Sequence, residues 1–429
     1  MLPALQIHPS GRYFQWENGQ PFFYLADTGW TILQRLCRDE IEFYLENRAR
    51  KGFNVVQVMG ISEFGGLKRP NREGHLPLHH QNPETPNENY WELCDFLIES
   101  AANLGIVVAL LPTWGDAWYL RRGFGPQVLT PQNARVYGRW LGARYAQKTV
   151  IWLLGGDREF LTENHCETTR QLALGIREGD GGRNLISVHP AHHESSSLHF
   201  HGESWLDFSM WQSGHQRKNE LVAKFIQADY LRTPAKPVLD GEPCYEEHPA
   251  HHEPLLPNGE KYYFDDYDIR KAAYRAVFAG AAGAAYGANG VFQNHLNEIP
   301  NGFGARRQWR EALELPGAAQ MGILRRLIET LPPFFAIPRP DLIEDNTRLA
   351  LGDENGNWAL VYAPNGGEIA VKGELLQPDL PARWFCPREG KFLDCKTSGE
   401  LFACPDARDW VLALGKTSLE NEKGCLKYL

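Results

Sequence analysis

The feature that most constrains this chain is an alternation. Short apolar runs rich in Val, Ile and Leu are separated by segments with helical periodicity, and the pattern recurs eight times over about 300 residues. The runs lie at 22–25, 54–59, 106–111, 150–154, 185–188, 208–211, 238–239 and 284–286. The helical patterns lie at 39–51, 90–103, 132–147, 165–177, 220–231 and 269–278. The sixth run has no clear helix before it. Runs that are apolar on both faces mark strands of a parallel sheet. The alternation therefore predicts an α/β protein, a (β/α)8 TIM barrel rather than an open sheet. No GxGxxG follows any run, which argues against dinucleotide binding.

Two flanking regions read differently. Apolar residues either side of Asn18-Gly19 predict a hairpin within 11–25. From Arg339 the helical period gives way to short strands between turns at 353–357, 364–367 and 387–391. That texture predicts a C-terminal antiparallel β-sandwich. The expected organisation is a barrel domain over 1–335, a linker at 331–338 and a sandwich domain over 339–429. A chain of 429 residues is long enough for both cores.

Net charge is −9 with no basic stripe, which argues against nucleic acid as a partner. No run approaches the roughly 20 apolar residues that span a bilayer. The N-terminus lacks a basic segment followed by a long apolar one, so no signal peptide is expected. Eight scattered cysteines without a CxxC pair read as buried thiols. These points predict a cytoplasmic protein, or an exported one if a leader has been removed.

The apolar run Val150–Leu154 stops at Gly155-Gly156 and then presents Asp157 and Arg158; the run at 238–239 delivers Asp240-Gly241-Glu242. In barrels of this type the site lies at the C-terminal ends of the strands. Two carboxylates facing a sugar are the machinery of glycoside hydrolysis: one protonates the leaving oxygen, the other attacks the anomeric carbon or activates water. Asp157 and Glu242 are the expected catalytic pair. Asp27, Trp30, Trp114, Asp116, Arg158, His189, Trp211, Gln212, Tyr245 and Tyr286 are the expected substrate contacts, with rings to stack on sugar faces and polar groups to hold hydroxyls. Placement after strands four and seven resembles the large retaining glycosidase clan, which usually carries Asn-Glu where this chain has Gly156-Asp157.

Other readings stand beside this one. An Asp after a strand also caps helices, so Asp157 reads equally as an N-cap. Asp240 reads as a structural partner, on the opposite strand face from Leu239 and Gly241. Histidines at 189–193, 199–201 and 248–252 fit zinc chemistry, but exposed loop histidines explain them too, and neither metal nor cofactor is expected. A carbohydrate-binding protein without catalysis would keep the same aromatics.

Several blocks resemble a known family: Ser10-Gly-Arg-Tyr13, Pro21 to Trp30, Tyr44 to Arg48, Lys51 to Gln57, Trp152 to Asp157, Asp240 to Pro243 and Tyr286-Gly287. In the tail, Trp384 to Arg388 and Asp409 to Leu412 match too. Together they are similar to the apiosidase-like glycoside hydrolases of family 140, whose C-terminal domain is labelled collagen-binding. The resemblance implies a barrel with a β-sandwich and exo-acting removal of a terminal sugar from an oligosaccharide. Its defined case is apiose on rhamnogalacturonan II. Asp157 and Glu242 match its catalytic pair.

Overall fold

The computed structural model describes residues 2–121, 123–216, 220–296, 303–332, 336–395, 397–398 and 401–415. The chain begins with a three-stranded antiparallel sheet of β1 (Leu5–Ile7), β2 (Phe14–Trp16) and β3 (Pro21–Phe22). The turn at Asn18-Gly19 is closed by Trp16 N–H donating to the Gln20 carbonyl at 2.8 Å. β1 pairs with β2 beside the expected hairpin and lies outside it.

The eight runs of the alternation are β4 (Tyr24–Thr28), β5 (Val55–Met59), β6 (Val107–Leu111), β7 (Val150–Gly155), β8 (Leu185–His189), β9 (Ser209–Trp211), β10 (Val238–Asp240) and β11 (Gly283–Tyr286). Each is buried along its length. Alternate side chains go to opposite faces, as strand geometry requires. In β7, Val150, Trp152 and Leu154 pack with the surrounding helices, while Ile151 and Leu153 join an interior cluster with Tyr24, Val55, Val107, Met210 and Leu239.

The strands do not form one continuous ladder. β11, β4, β5, β6, β7 and β8 make a six-stranded parallel sheet, and β9 and β10 make a separate parallel pair. The breaks are bridged by isolated hydrogen bonds. Asp207 N–H donates to Ile186 O at 2.9 Å, Ser187 Oγ–H to Phe208 O at 2.7 Å, and Ala282 N–H to Val238 O at 2.9 Å. β9 and β10 have three residues each, too few backbone groups to pair fully on both sides. The large sheet is curled: Gln57 on β5 reaches across the interior to donate to Gly241 O, beyond β10, at 2.9 Å. The fold is thus α/β with a curled parallel sheet, and the uninterrupted ladder of a barrel is not seen among the described residues.

Helices Arg38–Arg50, Glu88–Asn103, Pro131–Arg144, Glu163–Asp180, Glu220–Tyr230 and Asp266–Phe278 occupy the expected segments. Before β9 there is a single turn, Ser197–Phe200, which explains the missing periodicity there. A further helix, Pro316–Glu329, follows β11 outside those expected. No helix among the described residues is long and apolar enough to cross a membrane.

The C-terminal region is all antiparallel. Its strands are β12 (Ile337–Pro338), β13 (Leu349–Gly352), β14 (Ala359–Ala363), β15 (Glu368–Ala370), β16 (Ala382–Cys386), β17 (Lys391–Asp394), β18 (Thr397–Ser398), β19 (Leu401–Ala403) and β20 (Trp410–Leu414). They form a six-stranded sheet and a three-stranded one around Trp384, Phe402, Trp410 and Leu412. Within the expected linker, Ile337 and Pro338 join this sheet, and 333–335 lie outside the described residues, as do 416–429 of the expected second domain. The two parts meet at Asp409. This wholly buried carboxylate accepts from Arg270 Nε at 2.9 Å and from Arg388 Nη1 at 2.8 Å, while Tyr274 stacks on Tyr362. Among the described residues no two cysteines are joined in a disulfide, those of the tail included.

Candidate active site

The path from β7 to Asp157 is built from left-handed backbone. Gly155, Gly156 and Asp157 have φ of +85°, +105° and +48°. A Cβ on Gly155 would sit 2.5 Å from the His189 carbonyl oxygen, and one on Gly156 would sit 2.7 Å from the Gly115 nitrogen. Only glycine fits both the dihedrals and the space. Asp157 itself tolerates a conformation that costs on the order of 1–3 kcal/mol, the kind of strain that clusters at functional sites. The N-cap reading fails: the next helix is capped by Thr162, whose Oγ accepts from His165 N–H at 3.3 Å.

Glu242 lies two residues past β10. Asp157 and Glu242 line the same cavity, of about 210 Å³, together with Glu63, Trp30, Trp114, Gln212, Tyr245 and several histidines. Trp30 and Trp114 meet edge to face at 5.2 Å, and Trp30 Nε1–H donates to Tyr245 Oη at 3.1 Å. A second cavity, about 420 Å³, lies at the opposite ends of the strands between the N-terminal strands and Tyr230. It is the larger, but Glu329 is the only acid in its wall, so it offers no carboxylate pair.

Two histidines grip Glu242. His215 Nε2 is 3.2 Å from Oε1, and His189 Nε2 is 2.9 Å from Oε2, a close contact rather than an aligned hydrogen bond. Asp157 N–H donates to His189 Nδ1 at 3.4 Å. That bond assigns the ring hydrogen to Nε2, the atom facing Glu242. Burial alone would raise the Glu242 carboxyl, but the contacts with His189 and His215 outweigh it and hold the group well below the ordinary carboxylate range.

Asp157 is half-buried, with Oδ2 3.5 Å from Arg158 Nη1. Glu63 is pushed the other way. Burial, then the charge of Asp157, raise it to about 8, against the opposing pull of Arg158. Burial lowers His192 and His251 to about 4 and His248 well below its ordinary value, so all three are uncharged near neutrality. The buried polar atoms Trp114 Nε1, Gln212 Oε1, His192 Nε2 and His215 Nδ1 have no protein partner. Buried polar atoms seek partners, and on a cavity wall these suit a hydroxylated ligand. No group of three or more His, Cys, Asp or Glu among the described residues has the geometry to hold a metal ion.

The expected substrate contacts divide. Trp30, Trp114, Gln212 and Tyr245 line the cavity, and His189 lies directly behind it, between Trp30 and Glu242. The other five are used elsewhere. Asp27 is wholly buried, accepts from Tyr44 Oη–H and pairs with Arg48 at 3.4 Å. Asp116 accepts the backbone N–H groups of Phe124 and Gly125 and so orders its own loop. Trp211 stacks flat on Phe225 at 4.6 Å. Tyr286 donates to Glu246 at 2.7 Å within the core. Arg158 is wholly buried beneath Asp157 and Glu63. Asp240 is a structural partner, accepting from Ser213 N–H at 3.1 Å and Oγ–H at 2.6 Å.

Glu63, His192, His215, His248 and His251 also line the cavity, beyond the expected catalytic pair and substrate contacts. His248, in one of the loop clusters for which exposure is the expected alternative, is 1% exposed, and His215, outside those clusters, is 9% exposed. His215, four residues beyond β9, stood where strand ends gather their chemistry.

The curled parallel sheet thus carries a cavity with two carboxylates and aromatic walls at its C-terminal edge, and the chain's similarity to known proteins makes it a glycoside hydrolase. The model of the "Apiosidase-like, catalytic domain" matches residues 8–335, and that of the "Putative collagen-binding domain of a collagenase" matches 337–415. The chain belongs to the apiosidase-like family. It is 30% identical to a family 5 glycoside hydrolase from Bacteroides vulgatus, with 100% of this chain and 97% of that one covered and a TM-score of 0.86. It is 29% identical to a second solved glycoside hydrolase, with 96% and 97% covered and a TM-score of 0.85. An exo-beta-1,4-mannosidase from Opitutaceae bacterium strain TAV5, 15% identical with 76% and 62% covered and a TM-score of 0.53, shares the fold. No curated protein matches the chain.

Proposed function

We propose that this glycosidase is a retaining, exo-acting enzyme that removes one terminal sugar, with apiose a leading candidate, and that its strands act as a closed eight-stranded barrel. The observation that carries the proposal is Asp157 and Glu242 in one small cavity. At about 210 Å³ it is below the roughly 300–1,000 Å³ of sites for larger ligands, which suits a single sugar ring rather than a chain.

Glu242 is the nucleophile, kept ionised by His189 and His215. Asp157 is the acid/base. In the first step Asp157 gives its proton to the glycosidic oxygen, the C1–O bond breaks, and a Glu242 oxygen bonds to C1. In the second, water attacks C1, its proton passes to Asp157, and the ester to Glu242 breaks. Trp30 and Trp114 supply stacking faces, and Gln212 and Tyr245 supply hydroxyl contacts. The chemistry calls on no cofactor.

The test is sugar release from plant cell-wall oligosaccharides, including apiose-capped ones, read by mass spectrometry beside Glu242→Gln. A monosaccharide that appears with wild type and vanishes with the variant supports the reading and names the sugar. Oligosaccharide products would refute exo action, and binding without release would favour a non-catalytic sugar-binding role. The anomeric configuration of the first-formed product, by NMR, decides retention.

A further inference from the structure

Glu63 follows β5 in the cavity wall, and Arg158 joins it to Asp157. Arg158 Nη1 lies 3.5 Å from Asp157 Oδ2 and Nη2 lies 3.7 Å from Glu63 Oε2. One wholly buried guanidinium thus stands between two carboxylates. With both ionised the trio carries a surplus negative charge, and Glu242, itself held ionised, adds another to the same wall. Surplus charge in a confined site is relieved by keeping a proton.

A general acid beside an arginine has a difficulty: the cation favours the form that has already lost its proton. An opposing charge on the far side of the arginine removes the difficulty. We propose that Glu63 and Asp157, joined through Arg158, hold one proton between them in the resting site, and that Glu63 is the positioning residue that keeps Asp157 able to donate. The inference rests on the assignment of Asp157 as acid/base.

The surroundings agree. Burial and the charges of Asp157, Asp116 and Glu242 raise Glu63, and Arg158 alone among its main influences lowers it. His192, His248 and His251 are held uncharged near neutrality by burial and so do not cancel the surplus. His215, His252 and Tyr245 are the other titratable groups of the wall among the described residues. When Asp157 donates its proton to the leaving oxygen, both carboxyls are ionised about Arg158. The attacking water returns a proton to Asp157 and restores the resting state. Coupled groups of this kind titrate as a pair.

The experiment is the pH profile of kcat/KM for wild type, Glu63→Gln and Glu63→Asp, with melting curves to establish folding. An acid must be protonated to act, so activity falls as pH rises through its apparent pKa. Glu63→Gln leaves Asp157 alone beside Arg158, and the basic limb moves at least one unit toward acid, about a tenfold loss at the upper end of the profile. Glu63→Asp returns it most of the way. An unmoved limb, or a uniform fall at every pH, overturns the proposal. A second readout needs no substrate. The pH-difference infrared spectrum of the unliganded wild type shows a carboxyl proton titrating near 8, moved in Glu63→Asp and absent in Glu63→Gln. Its absence from wild type also overturns the proposal. If the infrared signal is present while Glu242→Gln remains active, the proton pair stands and the assignment of Glu242 as nucleophile falls.

Discussion

Replacing His215 by Phe isolates what holds Glu242 ionised. Phenylalanine keeps a ring against His248, on which His215 stacks at 4.2 Å, and against Tyr245, but it removes the nitrogen 3.2 Å from Glu242 Oε1. A hydrogen bond to a charged group contributes about 1.5–3 kcal/mol. At about 1.4 kcal/mol per pKa unit, its loss raises Glu242 by about 1–2 units. Burial already pushes upward, and His189 is the other main influence that holds the group down. The nucleophile must be ionised. The acidic limb of kcat/KM therefore moves up by about 1–2 units, while the basic limb stays put. Stability follows the same sign. A carboxylate depressed in the folded state stabilises above its unfolded pKa, and the benefit is lost as pH falls through the folded value. The variant's melting deficit is therefore largest near neutrality and shrinks in acid. The assay is initial rates on whichever glycoside the wild type cleaves, from pH 3 to 9, with thermal melts in the same buffers. An acidic limb that does not move while rates fall evenly would refute the reasoning.

Three further outcomes follow from the geometry. Gly156→Ala introduces a Cβ 2.7 Å from the Gly115 nitrogen at φ +105°. It costs on the order of 1–3 kcal/mol in urea unfolding and lowers kcat by displacing Asp157. Asp409→Ala leaves Arg270 and Arg388 without their shared buried carboxylate. Breaking a buried pair in this way costs about 3–5 kcal/mol, seen as a lowered melting temperature, with KM unchanged in the remaining folded enzyme. Asp27→Asn, at a residue shut away with Tyr44 and Arg48, lowers stability and leaves KM unaltered; a raised KM would mean that Asp27 reaches the sugar after all.

The parallel strands were legible because a strand buried on both faces can be written almost entirely in apolar residues, as Val150–Leu154 is. The turn after it was legible because Gly155-Gly156 has few other uses between an apolar run and an acid. Asp157 and Glu242 could be read as a pair because both follow such strands. The breaks in the ladder were not legible. They depend on how few backbone groups β9 and β10 present to their neighbours, a property of pairing rather than of composition.

The sequence by itself determined the order of strands and helices, the change to antiparallel strands after Arg339, and the two acids at matching strand ends. These are local properties, set by periodicity, turn chemistry and the apolar content of each segment. Only the tertiary structure decided which strand-end side chains share a cavity. Asp27, Asp116, Trp211 and Tyr286 all stand at or just beyond strand ends, yet each is taken by a neighbour brought close by the packing: Tyr44, the 124–125 backbone, Phe225 and Glu246. Glu63, His215 and His248 come from loops whose paths no period encodes. The physical reason is that a side chain's partner is chosen by distance in three dimensions, and proximity between segments 27 or 95 residues apart, as for His215 with Glu242 or Glu63 with Arg158, exists only once the sheet has curled.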